Sequence, residues 1–595
     1  MEEKYNIKGS FVLSIIGLLM LCLVLRLFQL QILEVGKYRH ASSINHILEI
    51  PLRPLRGDIL DRNGRKLAQN HIQYDLYIAS IGDDKADSEH LKSLAALTQM
   101  NAEDIENASK ILETSSGEAP VLLKTDIPLG MVIELKEKSD DFQFALIDKS
   151  SKRSYPLGTL TSHILGYLRE IDDQRLKELK GAGYLPGDIT GDNGIERQYD
   201  TNLRGFAGRK LMEVDNRGHW KGLLKRWEEN EDGTWIQKTA LYPPTKGKDL
   251  GLTIDSSLQK LVAREIGENI GGAIVMDANS GEILAMYCYP VFDANLFVGK
   301  VNSIDWADLM NNPDKPLQNR LIQNAYPPGS VFKVILALAG LIEGKITPHT
   351  TVQCTGTHKV GSRDFKCWKK YGHGQVDLNR AIAESCDIYF YQLGEKLGAE
   401  KIVEYANLLG FGSATGIDLP GENSGLIPTA QWKQERIGER WYKGDTVNMS
   451  IGQGFLQVTP IQIVRLYAFF ANGGKLINPH LNLVAITRDN TPEKLKNINP
   501  EYLKIISDGL RRTVTSGTAR GCYLPDVSIA GKTGTADDPP RKIPHSWFVS
   551  FAPAENPKVV LVVFGQNGGH SDKLAVPIAK KIYSSSEMRH YITVE

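Results

Sequence analysis

Apolar residues crowd the N-terminus of the sequence. From Gly9 to Leu25 no residue is charged, Lys8 and Arg26 frame the run, and apolar positions continue through Leu27, Phe28, Leu30, Ile32 and Leu33. A run of this length is near the minimum that spans a bilayer as a helix, so residues 9–30 are read as a transmembrane anchor and residues 1–8 as its flank. A cleaved signal peptide is the alternative. The run is long for one, and no small-x-small site follows before the amphipathic stretch Gln29 to Leu33. Lys4 and Lys8 precede the segment while Arg26, Lys37 and Arg39 follow it, so the basic residues do not fix its orientation.

Residues 31–250 read as a mosaic of short alternating strands, charged helical stretches such as Asp84 to Leu112, and Gly-rich turns. Arg62-Asn63-Gly64-Arg65 lies between Asp58-Ile59-Leu60-Asp61 and Lys66-Leu67-Ala68, which predicts a hairpin with an Asn-Gly turn. The charged, Gly- and Pro-containing stretch Glu228 to Lys248 predicts a long hairpin or linker, and a domain boundary is placed beside it. Beyond it the pattern changes. Ala273 to Asp277, the turn Asn279-Ser280-Gly281 and Glu282 to Tyr287 form an apolar hairpin. A second hairpin pairs Ser546–Phe551 with Lys558–Phe564, and Lys573 to Ser584 has a helical pattern. Strands at both ends with helices between them predict an α+β domain over residues 251–595, one antiparallel sheet covered by helices.

A chain of 595 residues with 42% hydrophobic and 24% charged positions is enough for two or three globular domains. Lys plus Arg and Asp plus Glu both total 70. With no net field to attract a polyanion, nucleic-acid binding is not expected.

The candidate chemistry begins at Pro327-Pro328-Gly329, which interrupts whatever precedes it and places Ser330 near the start of the helix Ser330 to Leu338. Ser330 and Lys333 then share a helix face. A lysine amine can take a serine proton when its pKa is lowered, and the apolar run around Lys333 is expected to lower it. Ser257-Leu258-Gln259-Lys260 matches the same spacing, but its flanks are polar, with Asp255 and Arg264 nearby. Otherwise Ser330 simply caps a helix and Lys333 is solvated. Two further elements bear on the choice: Ser385-Cys386-Asp387, and the only Lys-Thr-Gly in the chain, Lys532-Thr533-Gly534, followed by Thr535. Gly531 and Gly534 are expected to bracket a strand whose ammonium and hydroxyls can hold a carboxylate, with Gly534 admitting close approach of a substrate.

Ser-x-x-Lys, Ser-x-Asp 55 residues on, and Lys-Thr-Gly-Thr, in that order, resemble the signature of penicillin-binding proteins and serine β-lactamases. Arg56 to Gly64, Gly191-x-x-Gly194-x-Glu196, Asn324 to Ser330 and Ser450-Ile451-Gly452-Gln453-Gly454 extend the resemblance to class B penicillin-binding proteins over nearly the whole chain. Tyr155-Pro156 with His163 to Tyr167, and Asp387 in place of the usual Asn, resemble the branch that serves lateral-wall elongation.

The resemblance implies an anchor, an elongated pedestal (31–250) and a transpeptidase domain (251–595). Ser330 would attack the D-Ala-D-Ala amide of a stem peptide, with Lys333 as base and the N–H groups of Ser330 and Thr535 on the oxyanion. Ser385, near Lys532, would return a proton to the leaving D-alanine, and Thr533, Gly534 and Thr535 would hold its carboxylate. Asp387 would support the site, at some cost, since a carboxylate cannot donate as an amide does. Implied partners are the stem peptides, β-lactams as covalent inhibitors, and a SEDS-family membrane glycosyltransferase. The implied location is the cytoplasmic membrane, N-terminus inside and catalytic domain outside. No organic cofactor is implied. A β-lactamase or β-lactam sensor would share the motifs but needs no such pedestal, whereas a scaffold that chiefly activates the glycosyltransferase would keep it.

Cysteine spacing adds a separate expectation. Cys354, Cys367, His373 and Cys386 fall within 33 residues and make a donor set suited to structural zinc. A Cys354–Cys367 disulfide is the alternative. Cys386 lies between Ser385 and Asp387, so a metal there would pin the catalytic loop.

Overall fold

The computed structural model describes residues 2–34, 47–78, 84–98, 100, 102–114, 121–142, 144–184, 186–214, 220–229, 235–299, 301–485, 488–538 and 542–593. Lys37, Arg39 and the tip of the expected 228–248 hairpin (residues 230–234) lie outside them. The N-terminal run is helical over Glu2–Phe28 and closes in a wider π turn over Gln29–Leu33. Its stretch Ile15–Leu33 is long and apolar enough to cross a membrane, and none of it is buried against protein. At 1.5 Å per residue it spans about 28 Å, close to a hydrocarbon core. The Arg26 guanidinium donates to Gln29 Oε1 at 2.8 Å.

The chain divides into two compact units, each drawn from more than one stretch of sequence. One comprises residues 1–56, 71–152 and 205–247; the other comprises 57–70, 153–204 and 248–595. In the first unit, Gly208–Val214 pairs antiparallel with Ile47–Leu52, Trp220–Leu223 and Leu241–Tyr242. Lys225–Glu229 and Trp235–Thr239 pair antiparallel, so the hairpin begins before the expected 228–248 stretch and ends at Thr239. A separate apolar cluster holds Leu76 and Ile78, Leu91 and Leu94 of the helix Asp84–Thr98, and Val121, Val132 and Phe144.

In the second unit, residues 57–70 and 153–204 are tied in by hydrogen bonds from distant parts of the sequence. Leu250-Gly251 pairs in parallel with Ile59-Leu60, and the Asp61 carboxylate accepts from Ser256 Oγ at 2.7 Å. The same carboxylate closes the Asn63-Gly64 turn through the N–H groups of Asn63 and Arg65, both at 2.8 Å. Glu196, of the Gly-x-x-Gly-x-Glu motif, accepts from Arg153 Nε at 2.8 Å and from the Tyr155 hydroxyl at 3.3 Å. The Arg153 and Glu196 side chains are 2% and 0% exposed.

The main sheet runs in the order Ile283–Tyr289, Gly271–Asp277, Val559–Gly565, His545–Ala552, Ala530–Ala536, antiparallel throughout. Side chains alternate between faces along each strand. Ala273, Val275, Val559, Leu561 and Val563 face one cluster with Leu258, Leu261, Ile578 and Ile582 of the helices Ser256–Ile266 and Ala575–Ser584. Ile274, Met276, Val560, Val562 and Phe564 face the larger cluster, with the helices Lys333–Ile342 and Pro460–Ala471. Helices on both faces explain why these strands read as continuous apolar runs. The α+β sheet-and-helix expectation therefore holds.

Removing one partner of a buried ion pair leaves an uncompensated charge. Glu196→Ala should accordingly lower the unfolding free energy by about 3–5 kcal/mol, read as a fall in the denaturation midpoint of the full chain.

Candidate active site

The segment carrying Ser330 is fixed before its helix begins. Pro327 and Pro328 supply no N–H for a regular turn, and Gly329 continues at φ 57°, donating its N–H to Gly452 O at 2.9 Å. Ser330 lies in a single 3-10 turn, Gly329–Phe332, and the α-helix proper starts at Lys333, three residues later than expected. Trp547 Nε1 holds Pro327 O at 3.1 Å, and the Tyr467 hydroxyl holds Val331 O at 3.0 Å. The turn lies directly on the strand Ala530–Ala536. A Cβ at Gly534 would meet Pro328 O at 2.9 Å and Val331 Cγ1 at 3.1 Å. Gly531 and Gly534 are interior to that strand rather than at its ends.

Lys333 is fully buried, but its amine is not in purely apolar surroundings, which corrects the expectation drawn from its neighbours. Helical packing buries the stem, while Nζ reaches Asp387 Oδ1 at 2.6 Å, Ser385 O at 3.0 Å and Ser385 Oγ at 3.3 Å. Ser385 links the helices Leu378–Ala383 and Asp387–Leu397 in the left-handed region, at φ 55°. Such a conformation costs about 1–3 kcal/mol in a non-glycine residue, and its persistence marks a position that the surroundings enforce. Asp387 opens its helix, where a negative charge is favoured. Its second oxygen accepts from the Trp368 N–H at 2.9 Å. Both oxygens of Asp387 thus face donors, a task an Asn could not fill without turning its NH2 toward one of them. The anticipated cost of a carboxylate here is met by that geometry.

Lys532 is the second buried amine. Burial pushes its pKa well below the ordinary lysine range, the nearby Lys333 charge adds to the effect, and Asp387 opposes it. Its amine donates to Thr533 O at 3.2 Å. Thr533 Oγ1 meets Thr518 Oγ1 at 2.6 Å, and Thr535 Oγ1 lies 3.5 Å from Ser571 Oγ. Lys333, Ser385, Asp387 and Lys532 therefore converge beside the Ser330 turn, with Thr533, Gly534 and Thr535 on the adjoining strand. The rival Ser257 is elsewhere and otherwise engaged. Arg65 Nη1 donates to its hydroxyl at 2.7 Å, Asp255 caps its helix, and Lys260 is exposed. Sequence reasoning missed Trp368 and Thr518, which act through a backbone N–H and a lone hydroxyl and leave no pattern.

Cys354, Cys367, His373 and Cys386 are all buried, with their ligand atoms within 4.8 Å of one another. His373 Nδ1 lies 3.5 Å from the sulfurs of both Cys354 and Cys367. Tetrahedral bonds to zinc of ~2.1 and ~2.3 Å would separate ligand atoms by about 3.5 Å, so the donor set and its spacing fit that ion. His373 Nε2 is buried without a hydrogen-bond partner among the described residues and lies 4.0 Å from Glu384 Oε2, beyond hydrogen-bond reach.

An all-antiparallel sheet with the Ser330, Ser385 and Lys532 elements against its edge defines a transpeptidase of the penicillin-binding type. Residues 271–584 match the family model of the penicillin-binding protein transpeptidase domain, and residues 51–238 match that of the penicillin-binding protein dimerisation domain. Peptidoglycan D,D-transpeptidase MrdA of Acinetobacter baumannii is 33% identical over 98% of this chain and 88% of its own length. MrdA of Escherichia coli K12 is 31% identical over 93% and 90%. Among solved structures, penicillin-binding protein PBP2 of Helicobacter pylori, in a complex with MreC, superposes with a TM-score of 0.78 at 30% identity, covering 91% of this chain and 100% of that one. A chain from a peptidoglycan synthase complex that coordinates polymerization and crosslinking gives 0.72 at 29% identity, covering 99% of each. The chain belongs to the class B penicillin-binding proteins of the PBP2/MrdA type, and its activity is that of a peptidoglycan D,D-transpeptidase.

The depressed pKa of Lys532 has a consequence for stability. The unfolded chain takes up this proton at a higher pH than the folded chain does. Stability therefore rises with pH between the depressed folded value and the ordinary lysine value near ~10.4, and falls as pH drops through that window. Lys532→Met should flatten this part of the pH profile, read from unfolding midpoints of both chains between neutral and mildly alkaline pH.

Proposed function

We propose that cross-linking proceeds through an acyl-enzyme on Ser330 and that Lys333 is the entry point for its proton. The observation that carries this is the convergence of Lys333 Nζ on Ser385 and Asp387 one turn beyond Ser330. As Ser330 Oγ attacks the penultimate D-alanine carbonyl, its proton passes to Lys333, and Asp387 can receive one that Lys333 already holds. The N–H groups of Ser330 and Thr535 stabilise the oxyanion. Ser385 then delivers a proton to the departing D-alanine nitrogen, with Lys532 beside it as an amine whose pKa burial lowers. Thr533, Gly534 and Thr535 receive the substrate carboxylate. An amine from a second stem takes the acyl group and completes the cross-link; water in its place gives carboxypeptidase activity.

This substrate lies outside the cytoplasmic membrane, which assigns residues 1–8 to the cytoplasm, the apolar helix to the bilayer and the catalytic residues to the outer side. The reading extends to lateral-wall elongation and cell shape, with a SEDS-family glycosyltransferase as partner. The end-to-end likeness to a synthase-complex chain supports that partner. A chiefly activating role is the second reading, and a Ser330→Ala chain that retains synthase activation without cross-linking would isolate it.

Zinc is proposed as the structural ion of Cys354, Cys367, His373 and Cys386. When bound, it would tie the 354–373 segment to the loop that presents Ser385, and its binding energy would be folding energy.

A labelled penicillin should acylate Ser330 once per chain and leave Ser330→Ala unlabelled. Lys333→Arg should slow acylation by a factor on the order of 100 or more, since a guanidinium does not give up its proton. Label on Ser257 would overturn the assignment. For the metal, elemental analysis of protein purified without chelator should find about one zinc per chain, given four ligands on one ion. Stripping it should lower both the unfolding midpoint and the acylation rate. A Cys354–Cys367 disulfide in metal-free protein would end that reading.

A further inference from the structure

The chain as a whole balances 70 basic against 70 acidic residues, but one short segment beside the site does not. Between Lys359 and Lys370 it carries Lys359, Arg363, Lys366, Lys369 and Lys370 against Asp364 alone. Among the described residues none of these five cations forms an ion pair. The nearby carboxylates are otherwise engaged: Glu384 binds Arg380 at 2.6 Å, Glu395 binds His358 at 2.8 Å, and Asp387 binds Lys333.

Two aromatic rings stand open in the same segment. Trp368 is 60% exposed and Tyr371 is 86% exposed. Free aromatic surface of this kind on a loop calls for an explanation. Trp368 is held rather than dangling. Its backbone N–H binds Asp387, its indole N–H binds Glu384 O at 3.1 Å, and its ring meets the His373 ring edge-on at 5.4 Å. Lys370 Nζ lies 5.6 Å from the Tyr371 ring centre. Cys367 and His373, both buried, close the loop at its two ends.

We propose that residues 368–371 form a docking surface for the uncross-linked peptidoglycan strand, outside the pocket that takes its terminal dipeptide. The chemistry is complementary. Stem peptides carry free carboxylates for Lys369 and Lys370, and sugar rings and peptide groups offer faces that pack on Trp368 and Tyr371. The position is suitable as well, because the first residue of the surface hydrogen-bonds the carboxylate that holds Lys333. A strand seated here lies one residue contact from the catalytic cluster. The surface would select strand over free dipeptide, a selection the short Lys532–Thr535 edge does not supply. The inference rests on the placement of acyl transfer at Ser330.

The test uses full-length Ser330→Ala protein in detergent, so that bound strands remain intact, and measures affinity for soluble uncross-linked strands with pentapeptide stems. Combining Lys369→Ser with Lys370→Ser should weaken binding about tenfold, and Tyr371→Ala about fivefold. Amidating the non-terminal stem carboxylates, with the terminal D-alanine carboxylate left free for Thr533 to Thr535, should weaken binding to the parent chain by a similar factor and abolish the difference between it and the double-lysine variant. Equal affinity of parent and variants for unmodified strands overturns the proposal, as does an amidation effect that persists undiminished without the lysines. Penicillin labelling of the same lysine and tyrosine substitutions with Ser330 intact should match the parent, so that a loss of strand binding is not a folding defect. Penicillin labelling of the chain with Ser330 intact is scored separately. Failure there strikes the nucleophile assignment, whereas unchanged strand binding strikes the docking surface.

Discussion

The Lys333–Asp387 pair, 2.6 Å apart and shielded from water, is the interaction on which the site depends. Taking both charges out of water costs several kcal/mol per ion, and attraction offsets this only when the remaining polar positions are also satisfied. Here they are. Ser385 supplies two oxygens to Lys333, Trp368 supplies an N–H to Asp387, and Asp387 stands at the start of a helix. Lys333, the Ser385 to Asp387 turn and Trp368 come from three different stretches of chain. The pair therefore fixes the nucleophile helix, the Ser385 turn and the Trp368 loop to one another.

The same pair governs Lys532. Two buried amines share the neighbourhood of one carboxylate, and Lys333 has the direct contact. Among the described residues Lys532 has a carbonyl and no anion within hydrogen-bond reach, and burial and the neighbouring cation both disfavour its charge. Ser385 belongs to the same cluster, its Oγ 3.3 Å from Lys333 Nζ on a residue strained into a left-handed conformation.

The parts of this arrangement that were legible in the sequence are those with a local cause. Pro327-Pro328-Gly329 announces the turn before Ser330, the Lys-Thr-Gly run announces the edge strand, and the apolar blocks at 273–287 and 546–564 announce the sheet. Their order along the chain was enough to give the family and its transpeptidase activity. The placement of residues 57–70 and 153–204 was not legible, because it rests on contacts such as Asp61 with Ser256, 195 positions apart. The surroundings of Ser257, whose hydroxyl accepts from Arg65 192 positions away, were not legible either. The surroundings of the Lys333 amine were misread for a related reason. The apolar residues beside it in sequence pack around its stem, while its head group meets residues more than fifty positions away.

Asp387 shows how a single departure from a motif can be accounted for by its surroundings. An asparagine could turn its oxygen to Lys333, but its NH2 would then oppose the Trp368 N–H, and the reverse orientation would oppose the lysine ammonium. A carboxylate resolves the conflict because both of its oxygens accept. The identity of this residue is thus coupled to a backbone N–H contributed by the loop between Cys367 and His373. That loop is itself anchored by side chains whose sulfur and nitrogen atoms converge within 4.8 Å. Any change that relaxes the cluster would release the Trp368 N–H, leave one Asp387 oxygen without its donor, and loosen the grip on Lys333. The cysteine cluster and the nucleophile are connected in this way through three consecutive hydrogen-bonded groups, with no need for direct contact between them.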